Sequence, residues 1–160
     1  MNENELAGLL ESLKRMGSDD FSVEVKESAT TLSRDVWETV SAFANTAGGI
    51  IVLGVSELAG FVPVANFETE KVLNQFVAGM GDAGGRGKLA NPPKYTIERV
   101  ELRGTVVLVI TIEELDPSSK PCYVIERGAQ GGSYKRIDDK DVPLSSTEVF
   151  GAVVIRTDES

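Results

Sequence analysis

A chain of 160 residues with 41% apolar and 26% charged side chains can bury one proper core, so a single domain over residues 1–160 is expected. With no histidine and one cysteine, Cys122, it excludes an internal disulfide, a structural zinc site of the usual ligands and a Ser-His-Asp or Cys-His nucleophile system. The net charge of −9 opposes indiscriminate phosphate binding, but screening limits each charge to about 10 Å and leaves room for a local basic stripe.

No apolar run is long enough to span a membrane, and the Asn- and Glu-rich start has no signal-peptide pattern. Together with the lone cysteine this points to a cytoplasmic, reducing compartment. Glu5 to Met16 places Leu6, Leu9, Leu10 and Leu13 on one helical face, and Gly17 ends the pattern before a Ser18-Asp19-Asp20 turn. Phe21 to Glu27 then alternates, with Phe21, Val23 and Val25 on one face and Ser22, Glu24 and Lys26 on the other. That period separates Glu24 from Lys26 by about 7 Å, which by itself describes an exposed acid and base on a half-buried strand.

Val36, Trp37, Val40, Phe43 and Ala44 recur on one face of a second helix, with Ser33 as the expected cap and Asp35 and Glu38 near its positive end. Asn45 and Gly48-Gly49 tolerate positive φ and stop that helix, and Ile50 to Leu53 follows as a strand buried on both faces. Trp37, Phe43, Ile51, Leu53 and Leu108 are expected to share one core. Because these glycines follow a helix, they form a cap and not a phosphate cradle.

Ser56 to Gly60 reads as a turn, Phe61 to Val64 as a return strand, and Glu68 to Val77 as a helix turning Val72, Leu73, Phe76 and Val77 inward. Gly79, Gly81 and Gly84 match a dinucleotide fingerprint by letter only, since they follow a helix instead of opening one. The segment to Lys88 is read as a surface loop, with Arg86 and Lys88 as candidate phosphate contacts. Tyr95 to Leu102 and Thr105 to Ile112 form a hairpin whose alternation slips at Arg99-Val100, the place for a bulge. Pro121 to Glu126 and Ser133 to Ile137 read as a further strand pair. Tyr134, Lys135 and Arg136 together suit base stacking with phosphate contact, and equally an edge strand kept soluble by charge. Asp138 to Asp141 reads as a solvated turn, and Ser145 or Ser146 caps a last helix through Ile155.

Several motifs occur in a family-like order: Glu24, Lys26 and Ser28; Ala42-Phe43-Ala44-Asn45; Gly48-Gly49; and Gly54-Val55. Asn91-Pro92-Pro93, Val106 to Ile110, Lys120-Pro121-Cys122-Tyr123 and Tyr134-Lys135-Arg136 follow. Over roughly Phe21 to Arg136 the chain resembles the Schlafen/Alba-like DNA-binding domain family, also described as a divergent AAA-type domain of bacterial transcriptional regulators. The resemblance implies a mixed α/β (α+β) fold, with a single sheet of about six strands packed against helices. It also implies a nucleic-acid-binding domain of a transcriptional regulator, with DNA ahead of RNA as partner. Lys26, Lys120, Tyr134, Lys135 and Arg136 are then the contact residues on one surface, and Asn45, Gly48, Gly49 and Gly54 the structural motif. No cofactor or metal is expected. A homodimer, and a further C-terminal domain in a longer chain, stay open.

Two alternatives stand beside this reading. Eukaryotic relatives cleave RNA with a carboxylate cluster and a divalent metal, and Glu24 matches one of those carboxylates, with Asp19 and Glu57 as partners. Ser56 stands where the family often has an aspartate, so this convergence is expected to fail. The other alternative is an acidic protein-interaction module.

Overall fold

The computed structural model describes residues 1–159. Helix α1 (Glu3–Met16) opens on a capping box in which Asn2 and Glu5 each accept from the other's backbone N–H, and Gly17 closes it in the left-handed conformation. β1 (Val23–Lys26) runs parallel to β2 (Gly49–Leu53), and α2 (Val36–Asn45) makes the crossover between them. β3 (Val55–Ser56) pairs with β4 (Val62–Pro63), and α3 (Thr69–Gly79) follows. After β5 (Leu89–Ala90), the long hairpin of β6 (Tyr95–Leu102) and β7 (Thr105–Ile112) completes a mixed sheet in the order β1-β2-β7-β6.

The sheet separates two apolar clusters. On one side α2 and α3 bring Val36, Val40, Phe43, Val72 and Phe76 onto Ile51, Leu53, Leu108 and Ile110. On the other, α1 lays Leu6, Leu10 and Leu13 on Val23, Val25, Val52, Val107 and Val109. Four of the five expected core residues are fully buried together, while Trp37 is half-buried at the rim and stacks on Phe76. Gly48 takes the expected positive φ of 70° and Gly49 does not, but a Cβ on Gly49 would stand 2.8 Å from the Phe43 ring.

The expected mixed α/β fold is present, with a different division of strands. The main sheet has four strands, and the others form two-stranded ribbons: β3–β4, β5 with β8 (Tyr123–Val124), and β9 (Tyr134–Ile137) with β10 (Lys140–Pro143). The segments at 121–126 and 133–137 meet only at an isolated Tyr123–Ser133 bridge. β9 takes β10 as its partner, so Lys140 and Asp141 belong to a strand and the tight turn shrinks to Asp138 and Asp139. No bulge interrupts β6, whose register runs unbroken from Tyr95 opposite Ile112 to Leu102 opposite Thr105. The apparent slip is a change of cover: Tyr95 and Ile97 pack toward α3, whereas Val100 and Leu102 lie under α1.

Between β7 and β9 lie 3₁₀ turns at Pro117–Ser119 and Ile125–Arg127 and the short α4 (Ala129–Gly132). In α5 (Ser146–Glu159) the cap falls to Ser145, whose Oγ accepts from Glu148 N while Glu148 accepts from Ser145 N. Ser33 does not cap α2; its N–H and hydroxyl are engaged by the Ser28 hydroxyl, at 3.1 and 2.9 Å.

Candidate functional site

Two regions gather the polar chemistry, one closed and one open. The closed one begins at β1. Val23 and Val25 enter the α1 cluster, so Glu24 and Lys26 point to the opposite face, near the start of α2 and the β9–β10 ribbon. Arg136 reaches in from β9 with its side chain only 1% exposed. Nη1 donates to Asp141 Oδ1 at 2.8 Å, Nη2 to Asp20 O at 2.8 Å and to Glu24 Oε2 at 3.2 Å, and Nε to Phe21 O at 3.3 Å. Its Cζ lies over the Phe43 ring, 5.0 Å from the centroid. Asp141 also accepts from Thr39 Oγ1 at 2.6 Å. Arg136 thus ties the Asp20–Glu24 segment, α2 and the terminal ribbon into one body.

Asp19 completes this network. It is buried, accepts from Val25 N at 3.2 Å, and meets the Glu24 carboxyl. Burial, then the Glu24 contact, raises the Asp19 pKa to about 9. Glu24 moves the other way: desolvation opposes its charge, but the Asp19 proton, Lys26 and Arg136 outweigh it and hold the carboxyl below its usual range. At neutral pH Asp19 therefore carries the proton and Glu24 the charge. Lys26 Nζ bridges Glu24 and Asp35, at 3.3 and 3.1 Å.

These carboxyls do not fit a divalent ion. Asp19 and Glu24 meet each other, yet Glu57 is exposed and acts on Asp19 only through its charge. The Ser56 hydroxyl turns to Glu27 Oε1, 2.6 Å away. Glu24 is already shared between two cations, and among the described residues no group of three His, Cys, Asp or Glu side chains could hold a metal.

The remaining sequence candidates are dispersed. Lys120 pairs with Glu114 at 2.7 Å and Lys135 with Glu148 at 2.9 Å. Tyr134 is buried, its hydroxyl held by Arg127 and Glu38. Lys26 and Arg136 share the Glu24 carboxylate in the interior, so the expected common surface of Lys26, Lys120, Tyr134, Lys135 and Arg136 does not form.

The open region is a cleft of about 850 Å³ between the start of α2, the glycine loop and the turn after β8. Arg34, Trp37, Glu38, Arg86, Lys88, Glu126 and Arg127 line it, which sets four cations against two carboxylates. Arg127 pairs with Glu38. The exposed side chains of Arg34, Arg86 and Lys88 carry no ion pair or hydrogen bond among the described residues. A tight turn brings the loop's two cations back beside α2: Lys88 N donates to Gly79 O at 2.6 Å, and a Cβ on Gly87 would sit 2.8 Å from Gly81 N. Arg86 and Lys88 were legible as loop cations. Arg34 and Arg127 were missed, because their only sequence signal is a lone arginine beside a helix start or a glycine.

Comparison with known proteins fits this fold. The Schlafen, AlbA_2 family pattern matches residues 19–145. The chain belongs to that family. A solution structure of the N-terminal domain of a protein related to the ATP-dependent DNA helicase RecG, from Nitrosomonas europaea, is 27% identical with a TM-score of 0.62. The match covers 86% of this chain and 92% of that one. The crystal structure of the DIP2311 protein from Corynebacterium diphtheriae shares the fold at 15% identity and a TM-score of 0.53, over 93% of this chain and 28% of the other. No curated protein matches the chain.

In this Schlafen, AlbA_2 domain the Ala42-Phe43-Ala44-Asn45 and glycine motifs serve the scaffold. Asn45 Nδ2 donates to Cys122 O and Tyr134 O, both at 2.9 Å, while its Oδ1 accepts from Cys122 N at 2.8 Å. Ser41 adds a bond to Cys122 O at 2.7 Å and accepts from Tyr134 N at 3.0 Å. One turn of α2 thereby anchors two distant segments. Gly54, at a φ of 98°, leaves room for Phe67, whose ring would lie 2.7 Å from any Cβ there.

Proposed function

We propose that the domain binds nucleic acid through the cleft bounded by Arg34, Arg86, Lys88 and Arg127, as the nucleic-acid-binding part of a cytoplasmic regulator. The observation that carries this reading is the convergence of three cations without a partner among the described residues, and a fourth partly neutralised one, around a single concavity. A cation without a protein carboxylate exchanges small counterions for a phosphate at little cost, whereas a captive one must first break its own pair. The overall charge of −9 slows approach without cancelling this local excess, because the field of distant carboxylates is screened over about 10 Å. DNA is the first partner to test, since the Nitrosomonas europaea relative is a domain of a protein related to a DNA helicase. The buried, unpaired Cys122, its thiol pushed up to about 12 by desolvation, suits a reducing compartment.

The test is fluorescence anisotropy of labelled oligonucleotides with the wild-type domain and an Arg86→Ala/Lys88→Ala double variant. The variant is expected to fold normally and to bind about ten- to a hundredfold more weakly at low salt. Equal affinity of the two proteins would overturn the cleft as the binding surface.

A further inference from the structure

Trp37 is the single tryptophan of the chain, and it lies in the wall of the basic cleft. Helix periodicity assigns it to the core, but the structure leaves it half-buried. Its ring stacks on Phe76 at a centroid distance of 5.4 Å and an interplanar angle of 23°. The benzo edge rests on Gly79, where a Cβ would stand 2.0 Å from Cζ2, so no residue with a side chain fits beneath the indole in this position. Phe76 is held in turn by Tyr95, edge-on at 5.4 Å. The indole is thus braced from behind, and its remaining surface lines a cavity rimmed by Arg34, Arg86, Lys88 and Arg127.

An aromatic platform inside a ring of cations matches the needs of an unpaired base and the phosphates beside it. A base inside a duplex already stacks on its neighbours and cannot reach an indole recessed in a concave wall. Resting on the binding proposed above, we infer that the cleft takes a single-stranded segment of nucleic acid, with one base on Trp37 and the flanking phosphates on the four cations. Base–aromatic stacking is tolerant of sequence because every base has a π-face, so this site selects strandedness before sequence. Deoxyribose and ribose strands offer the same two features, and the test separates them.

The wild-type domain carries its own reporter, since all tryptophan emission comes from Trp37. Titration with unlabelled oligothymidylate, oligouridylate and a duplex, each about a dozen nucleotides long, is followed by Trp37 fluorescence and in parallel by anisotropy of labelled copies. One or both single strands should quench the emission at the midpoint seen by anisotropy, and the duplex should bind at least about tenfold more weakly without quenching. Stronger quenching by oligothymidylate assigns DNA, and by oligouridylate RNA. Duplex binding as tight as single-strand binding, or single-strand binding that leaves Trp37 emission unchanged, overturns this inference. The cleft reading then still rests on the Arg86/Lys88 variant. Absence of any binding overturns both.

Discussion

Arg136 and Arg86 are the same residue type in opposite electrostatic circumstances. Arg136 spends its guanidinium on Glu24, Asp141 and the main-chain carbonyls of Asp20, Phe21 and Val23, and has 1% of its side chain exposed. Arg86 stands in solvent at the mouth of a cleft without a partner among the described residues. The cations of the family-like motifs belong to the first kind or are paired on the surface, and those of the cleft, Arg127 apart, to the second. In an acidic protein, what decides whether a cation can serve a ligand is the nearest carboxylate and not the residue type or its place in a motif.

The sharpest way to break this contrast is to remove Arg136. Arg136→Met leaves Glu24 and Asp141 without the guanidinium that pairs with both in a desolvated pocket, and loss of one partner of such a network costs about 3–5 kcal/mol. Denaturant unfolding measures it. A cost no larger than that of an ordinary surface substitution would show that Arg136 is not the structural tie described above.

Arg136 joins β9 to β1 and β10, and distant contacts of this kind mark the limit of what was legible in the sequence. α1, α2, the Gly48 stop and β2 were readable because periodicity, caps and glycine chemistry are local. The partner of β9 was not, because Asp141 has the look of a solvated turn residue until Arg136 and Thr39 are found against it. Arginine is so rarely buried that only the distant Glu24 and Asp141 make its burial intelligible. The cleft was half legible: Arg86 and Lys88 sit in an evident loop, whereas Arg34 and Arg127 join them only through the packing of α2 and β8.

A smaller effect sharpens the same comparison through pH. Asp19 holds its proton more tightly folded than unfolded, so its contribution to stability is full below its ordinary value of 3.8 and is lost as pH rises toward about 9. Glu24, held low, contributes above its ordinary 4.5 and loses that contribution as pH falls through its lowered folded value. Asp19→Asn keeps an acceptor for Val25 N and a donor for Glu24 without an ionisable proton. It should remove a slope of at most ~1.4 kcal/mol per pH unit between pH 4 and 9, making the variant relatively more stable at the alkaline end. Parallel stability–pH curves for the two proteins would contradict the shared proton.

The central claim, that partnering and not motif membership makes a cation available, is tested most directly by the salt dependence of oligonucleotide binding in two double variants. Four phosphate contacts predict a slope of log affinity against log salt of about −3 to −4 for the wild-type domain. Arg86→Ala/Lys88→Ala should flatten that slope by about two, and Lys120→Ala/Lys135→Ala should leave it where it was. A slope flattened by the Lys120/Lys135 pair and untouched by the Arg86/Lys88 pair would contradict the account.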